Sequence, residues 1–67
     1  MVRLDRVNLI AEMARKTMTL AELAEKSGVN VYTISGVRNG KSCTQETAAK
    51  LAKGLGVPLE TILEKEA

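Results

Sequence analysis

The chain has 67 residues, enough for one small domain, and its apolar fraction of 45% is typical of a folded protein. Its single cysteine, Cys43, excludes an internal disulfide bond. It has no histidine and no cluster of Cys, Asp and Glu at metal-ligand spacing, so we expect no metal, no cofactor, no small-molecule ligand and no enzymatic activity. No apolar run is long enough for a signal peptide or a membrane span, and we expect a cytoplasmic protein.

The charges are unevenly distributed, although the net charge is only +2. Acidic and basic residues balance over residues 1–25, and the end of the chain, from residue 54, is acidic. Between them, residues 26–53 carry five lysines and arginines against one glutamate. This central positive charge is typical of a surface that faces phosphates, and a solvated basic face is the alternative.

The first predicted helix covers about residues 4–17. Asp5 is either its N-cap or a favourable acid in its first turn. The helical spacing of apolar residues predicts an inward stripe of Leu4, Val7, Ile10, Ala11 and Ala14, with Arg6, Glu12, Arg15 and Lys16 off this stripe.

The second predicted helix, about Leu20 to Ser27, has a complete start signal. Thr19 can act as the N-cap, and Glu22 can reach back to the Thr19 amide to form a capping box. Met18 and Leu23 are spaced to form a hydrophobic staple around the cap.

The third predicted helix, about Val31 to Arg38, follows a tight turn. Gly28 can adopt the left-handed conformation that a sharp helix end requires. Asn30 is a suitable N-cap, and Ile34 and Val37 share the inner face. Helices 2 and 3 therefore form a helix-turn-helix, with a small residue, Ala24, at the close approach.

Two further helices are predicted after the Asn39–Cys43 loop. Thr44 can cap helix 4, whose inner face is Ala48, Leu51, Ala52 and Leu55. Gly56 and Pro58 end helix 4, and a short helix 5 contains Leu59, Ile62 and Leu63 before a tail, EKEA, that we expect to fray. The fold class is all-α: a compact bundle of five short helices in a single domain, residues 1–67, with no strand.

Three separated runs of this sequence resemble the Cro/repressor-type (lambda-repressor-like) helix-turn-helix family of phage and bacterial regulators. They are LAELAEKSGVNVYTIS, the NGK of residues 39–41, and LAKGLGV of residues 51–57. The resemblance extends from about Leu4 to Leu63. It implies a DNA-binding protein whose third helix enters the major groove.

Specific residues can be assigned to this expected DNA interface. The positions of helix 3 that the core does not need are the expected base-contacting residues, Val31, Tyr32, Ser35 and Gly36. The resemblance places Val31 and Tyr32 where family members most often reach base edges, and Asn39 and Lys41 at phosphate contacts. Together with the start of helix 2 and weaker candidates, the expected phosphate-contacting residues are Thr19, Leu20, Ala21, Thr33, Arg38, Asn39, Lys41 and Thr44.

The sequence departs from the family pattern at two positions. Leu20 stands where a glutamine is common, which removes a bridge between phosphate and reading helix. Arg38 stands where a glutamate often pairs with a helix 1 arginine, and the helix 1 counterpart is Met13. Arg38 is therefore free to pair with Glu12 or to reach a phosphate. Cys43, in a loop expected to be exposed, is more simply an incidental thiol than a redox switch.

The predicted function is sequence-specific binding of double-stranded DNA by a transcriptional regulator, a phage or mobile-element type of repressor. We expect a homodimer on an inverted-repeat operator. The residues that could form the dimer contact, or could simply cover the protein's own core, are Val57, Leu59, Ile62 and Leu63. The alternative is a protein-interaction module, such as an antitoxin or anti-repressor, with the same fold.

Overall fold

The structure, a computed structural model, describes residues 1–64. Within them lie five helices and no strand longer than an isolated bridge. The helices are α1 (Arg6–Arg15), α2 (Leu20–Ser27), α3 (Val31–Arg38), α4 (Gln45–Leu55) and α5 (Leu59–Ile62). None of these helices is long and apolar enough to cross a membrane. The all-helical prediction is confirmed.

The predicted starts of α2, α3 and α4 are confirmed by their caps. Thr19 and Glu22 form the capping box, with both backbone-to-side-chain bonds at 3.2 Å. Asn30 Oδ1 accepts a hydrogen bond from the Tyr32 amide at 2.7 Å, and Thr44 Oγ1 accepts one from the Thr47 amide at 3.1 Å. Gly28 has φ +74° and turns the chain sharply between α2 and α3, as predicted.

The predicted inward stripe is correct at Leu4, which is buried, and wrong at Val7, Ile10 and Ala14, which are exposed. Val7 is 73% exposed and Ile10 is 48% exposed, whereas the buried residues of this helix are Leu9, Glu12 and Met13. Asp5 is the N-cap and accepts a hydrogen bond from the Asn8 amide, so α1 begins at Arg6, two residues after the predicted start at about Leu4. The Asp5 amide donates to Ile62 O and Asn8 Nδ2 donates to Thr61 O, and these bonds to α5 fix which face of α1 meets the core.

Glu12 is the one buried charged side chain among the described residues, at 8% exposure. Its carboxylate accepts a hydrogen bond from Arg15 Nη1 at 2.6 Å, one turn further along α1. A charged group leaves water at low cost only when it gains such a partner. Arg15 is therefore the ion-pair partner of Glu12, a role that the sequence left open for Arg38. Arg38 is half-buried on α3.

The segment before α1 is bound at two places, to the loop between α3 and α4 and to the residues at the end of α5. Val2 pairs antiparallel with Cys43 through two hydrogen bonds of 2.7 and 2.8 Å. Leu4 pairs with Leu63, flanked by bonds from the Asp5 amide to Ile62 O and from the Glu64 amide to Arg3 O. The backbone of Glu64 is therefore bound to Arg3. The rest of the tail that was expected to fray, residues 65–67, lies outside the described residues.

Cys43, which pairs with Val2, is buried, at 5% exposure. The prediction of an exposed loop thiol is wrong, because the loop bonds to Val2 instead of projecting into water. Burial raises the pKa of the Cys43 thiol above its ordinary value, and the nearby N-terminal ammonium opposes this only in part. A protonated, buried thiol is a poor nucleophile.

The hydrophobic core is formed by side chains from all five helices and from the segments between them. Its largest fully buried members are Leu9, Leu23, Ile34, Val37, Leu51, Leu55 and Ile62. The predicted inner face of α4 is confirmed in full. Ile62 has no exposed surface, so it is a core residue and cannot contribute to the dimer contact for which it was a candidate.

Two backbone features were not predicted. At position 54, a Cβ would lie 2.8 Å from Ser27 Cβ, so Gly54 allows α4 to approach α2 more closely than any other residue would permit. Thr17 has φ +51°, a left-handed conformation that is costly for a β-branched residue. The Met18 amide donates to Met13 O at this turn and closes the end of α1.

Candidate nucleic-acid interface

The first turn of α3 projects from the surface. Tyr32 is 83% exposed, Val31 is 37% exposed, and Thr33 is also exposed. Ile34 and Val37 are buried and anchor the opposite face of the helix. The core therefore fixes the rotation of α3 about its own axis and leaves its N-terminal turn free to meet a partner.

Ser35 and Gly36 are half-buried, in contrast to the first turn. A Cβ at Gly36 would lie 3.2 Å from Lys41 Cδ, and the Lys41 amide donates to Gly36 O at 3.0 Å. Gly36 thus provides the space in which the Lys41 side chain lies along α3. This indicates that Gly36, expected among the base contacts, positions a lysine.

The loop that follows α3 is held by backbone hydrogen bonds. The Asn39 amide donates to Ser35 O and Gly36 O, and the Gly40 amide donates to Val37 O. Gly40 has φ +101°, which suits glycine. Asn39 and Lys41 are exposed, and a shallow depression of about 330 Å³ beside them is lined by Tyr32, Thr33, Gly36, Val37, Lys41 and Ser42.

The start of α2 offers fewer free donors than predicted. The Thr19 amide donates to Glu22 Oε1 within the capping box, so it is not available to a phosphate. Within residues 1–64, we find no acceptor for the amides of Leu20 and Ala21, which precede the first intrahelical bonds. The helix dipole would favour an anion at these amides, while the nearby Glu22 carboxylate would weaken the attraction.

The remaining phosphate candidates differ in accessibility. Thr33 and Thr44 are exposed, and Thr44 Oγ1 is already bonded to the Thr47 amide and hydroxyl. Arg38 is half-buried at the end of α3. Lys50, on α4, is exposed and lies 3.5 Å from Glu46 Oε1, which reduces its positive field.

Two arginines that the sequence did not connect with this interface lie near it. Arg3 and Arg6 line a depression of about 530 Å³ together with Asn39 and Gly40. The pairing of Val2 with Cys43 brings them there, across some 40 residues of sequence. No local signal could have identified them, because this pairing is a long-range property of the fold.

Comparison with known proteins agrees with this geometry. A family model described as helix-turn-helix matches residues 9–62. The chain belongs to the Cro/repressor-type helix-turn-helix family. No curated protein gives a significant match.

Two solved structures are similar to this helix-turn-helix protein. The wild-type restriction-modification controller protein C.Esp1396I is 30% identical, with a TM-score of 0.72, over 79% of this chain and 70% of the controller. An arginine-to-alanine mutant of that controller, in a trigonal crystal form, is 29% identical with the same TM-score, over 82% and 77% of the two chains. Family and neighbours support a non-enzymatic, DNA-binding transcriptional regulator.

Proposed function

We propose that this helix-turn-helix protein is a sequence-specific regulator that places α3 in the major groove of double-stranded DNA and acts as a homodimer on an inverted repeat. The observation that carries the proposal is the exposed first turn of α3, where Tyr32 and Thr33 line one depression with Lys41. Two half-sites about 34 Å apart, one turn of DNA, would match a two-fold symmetric protein. Its similarity to a restriction-modification controller protein supports a transcriptional regulator, and the proposal assigns it to the phage or mobile-element type.

Base recognition in this proposal depends on few hydrogen bonds. Tyr32 offers one hydroxyl, Val31 offers only an apolar contact such as that with a thymine methyl, and Ser35 is half-buried. None of them can form the bidentate bonds by which Asn, Gln or Arg distinguish adenine or guanine. DNA shape therefore supplies much of the sequence preference.

Phosphate binding depends on Lys41, Asn39 and the amides of Leu20 and Ala21. Lys41→Ala should weaken binding to all sequences about equally and should reduce the slope of log affinity against log salt by about 1. Lys50→Ala is the matched control, because Lys50 is also exposed but lies on α4 beside Glu46. Equal salt slopes for the two variants would contradict the role of Lys41.

Selection from a random duplex DNA library at near-physiological salt tests the proposal as a whole. We expect sequencing of the retained DNA to give an enriched inverted repeat. A single enriched half-site would support sequence-specific DNA binding and would contradict the dimer. If no sequence is enriched, even at low salt, the proposal is wrong.

The second candidate is a module that binds another protein through the same helix, as an antitoxin or anti-repressor does. The exposed apolar side chain of Val31 and the loss of a polar group at Leu20 favour it. The two candidates differ in salt response: a complex dominated by phosphate contacts weakens steeply as salt rises, whereas an apolar protein complex does not.

A further inference from the structure

The loop after α3 borders two depressions of the surface. Tyr32 and Lys41 line the one on the α3 side, which the proposed function assigns to DNA. Arg3 and Arg6 line the other, on the side of α1. No residue belongs to both depressions. The same loop therefore adjoins a second surface with two cations, for which the proposed function gives no role.

We propose that Arg6 and Arg3 bind the DNA backbone, at phosphates on the side of this loop away from α3. This inference rests on the proposed function and deepens it, because it extends the phosphate contacts from the loop to the start of α1. The ligand group is a phosphodiester. A guanidinium suits it because its planar fork of donors can meet two oxygens of one phosphate.

The Arg6 side chain lies against the loop itself. A Cβ at Gly40 would be 3.8 Å from Arg6 Cδ and 3.9 Å from Arg6 Nη1, so the guanidinium lies beside this glycine. Gly40 stands between Asn39 and Lys41, two expected phosphate contacts. A DNA strand that passes over the loop therefore passes within reach of Arg6 as well.

Backbone hydrogen bonds hold both arginines at this place. Val2 pairs with Cys43 through bonds of 2.7 and 2.8 Å, and the Glu64 amide donates to Arg3 O at 3.0 Å. Arg6 is the first residue of α1. The backbone of this segment is therefore ordered before DNA arrives, which lowers the entropy cost of binding.

The charges around the depression favour an anion on the two arginines. Arg3 and Arg6 are exposed, and the ion pairs found within residues 1–64 involve neither of them. Asp5 and Glu64 also line the depression. The Asp5 carboxylate accepts a hydrogen bond from the Asn8 amide, whereas Glu64 is exposed and its carboxylate opposes a phosphate. Removing the Glu64 charge should therefore strengthen DNA binding.

The salt dependence of binding to a duplex with one half-site and flanking base pairs tests the arginines. Arg6→Ala should weaken binding to this duplex and to an unrelated one about twofold to fivefold. It should also reduce the slope of log affinity against log salt by about 1, and Arg3→Ala should act in the same direction. Arg6→Lys should keep the wild-type slope, because the charge remains.

Lys16→Ala is the matched control, because it removes an exposed cation at the other end of α1 and should leave the slope unchanged. Arg6→Gln replaces Arg6→Ala if circular dichroism shows that the latter unfolds. Glu64→Gln should raise the affinity for every duplex. Glu60→Gln, which removes an exposed carboxylate from α5 outside the depression, should raise it less.

Neutral methylphosphonate linkages, placed one at a time along the half-site and its flanks, locate the contact. The wild type should lose affinity when the linkage bound by Arg6 is neutral, and Arg6→Ala should lose nothing further there. This linkage should differ from the one to which Lys41→Ala is insensitive, because the two side chains lie in different depressions.

Three results would overturn the inference: an Arg6→Ala slope equal to that of the wild type, no linkage to which Arg6→Ala is insensitive, or a Glu64→Gln variant that binds no better than Glu60→Gln. In each case the wild type still binds DNA, and the proposed function stands. If the wild type binds no duplex at any salt concentration, the proposed function is wrong and this inference is wrong with it.

Discussion

Helices α1 and α3 both present large apolar side chains to solvent, but their surroundings differ. The exposed turn of α3 combines Tyr32 with backbone amides, hydroxyls and Lys41, groups that can exchange water for phosphates and base edges. The exposed apolar residues of α1, Val7, Ile10 and Ala14, offer only aliphatic atoms, and exposed arginines lie near the start of the helix. The polar groups around an exposed apolar surface therefore indicate which class of partner that surface could bind.

The largest expected effect concerns two adjacent residues of α1. Leu9→Ala should lower the free energy of unfolding by about 2–5 kcal/mol, because it leaves a cavity in the core. Ile10→Ala should change it by less than about 1 kcal/mol in the monomer, because Ile10 is half exposed. Urea denaturation at low protein concentration measures both. Equal losses would mean that α1 is rotated from the orientation described above.

On α3, Tyr32→Ala should weaken binding to the selected DNA by about 1–3 kcal/mol, because its hydroxyl and ring are lost from the groove. The thermal stability should not change, since Tyr32 lies outside the core. Ile10→Ala provides the comparison on α1: its affinity for a single half-site should equal that of the wild type. Fluorescence anisotropy with labelled DNA measures both variants. Unchanged affinity of Tyr32→Ala would reject the assigned orientation of α3.

Two turns contain a residue in a left-handed conformation: Thr17 in the turn after α1, and Gly28 in the turn before α3. Thr17→Gly should raise the free energy of unfolding by about 0.5–1 kcal/mol, because it relieves the strain of a β-branched residue at φ +51°. Gly28→Ala should lower it by about 1 kcal/mol, through backbone conformation alone, since a Cβ there would meet no atom within 4 Å. Thermal denaturation of both variants checks the opposite signs.

The smallest expected effect is a dependence of stability on pH. It comes from Cys43, in the loop that pairs with the segment before α1. Burial raises the pKa of the Cys43 thiol above 9.0, so the unfolded chain loses this proton at lower pH than the folded protein does. Stability should be unaffected below about pH 8 and should fall as the pH rises above about 9. Cys43→Ala should show a shallower decline in alkaline denaturation curves. Parallel curves would contradict the burial of this thiol.

Much of the fold could be predicted because its signals are local. Thr19, Asn30 and Thr44 each lie within three residues of the amide that they cap, and Gly28 determines its turn by itself. The orientation of α1 could not be predicted in this way. Two apolar rows compete on that helix, and the choice between them depends on bonds from Asp5 and Asn8 to α5, more than fifty residues away.

The candidate site was predictable to a similar extent. The exposure of Tyr32 follows from the burial of Ile34 and Val37 in the same helix. The placement of Lys41 over Gly36 depends on a loop path that the sequence does not specify, and the position of Arg6 depends on the pairing of Val2 with Cys43. Local patterns therefore predict which side chains are available, and long-range bonds determine which of them come together.

The bonds that join residues 2–5 to distant parts of the chain also matter while the chain is being synthesised. Residues 2–5 are made before their partners, Cys43, Ile62 and Leu63. The nascent chain must therefore carry α1 and its apolar core face without their final partners until α5 has been made. Helices α2 and α3 have their caps and turn within twenty residues, so they can form the recognition unit while the rest is still being translated.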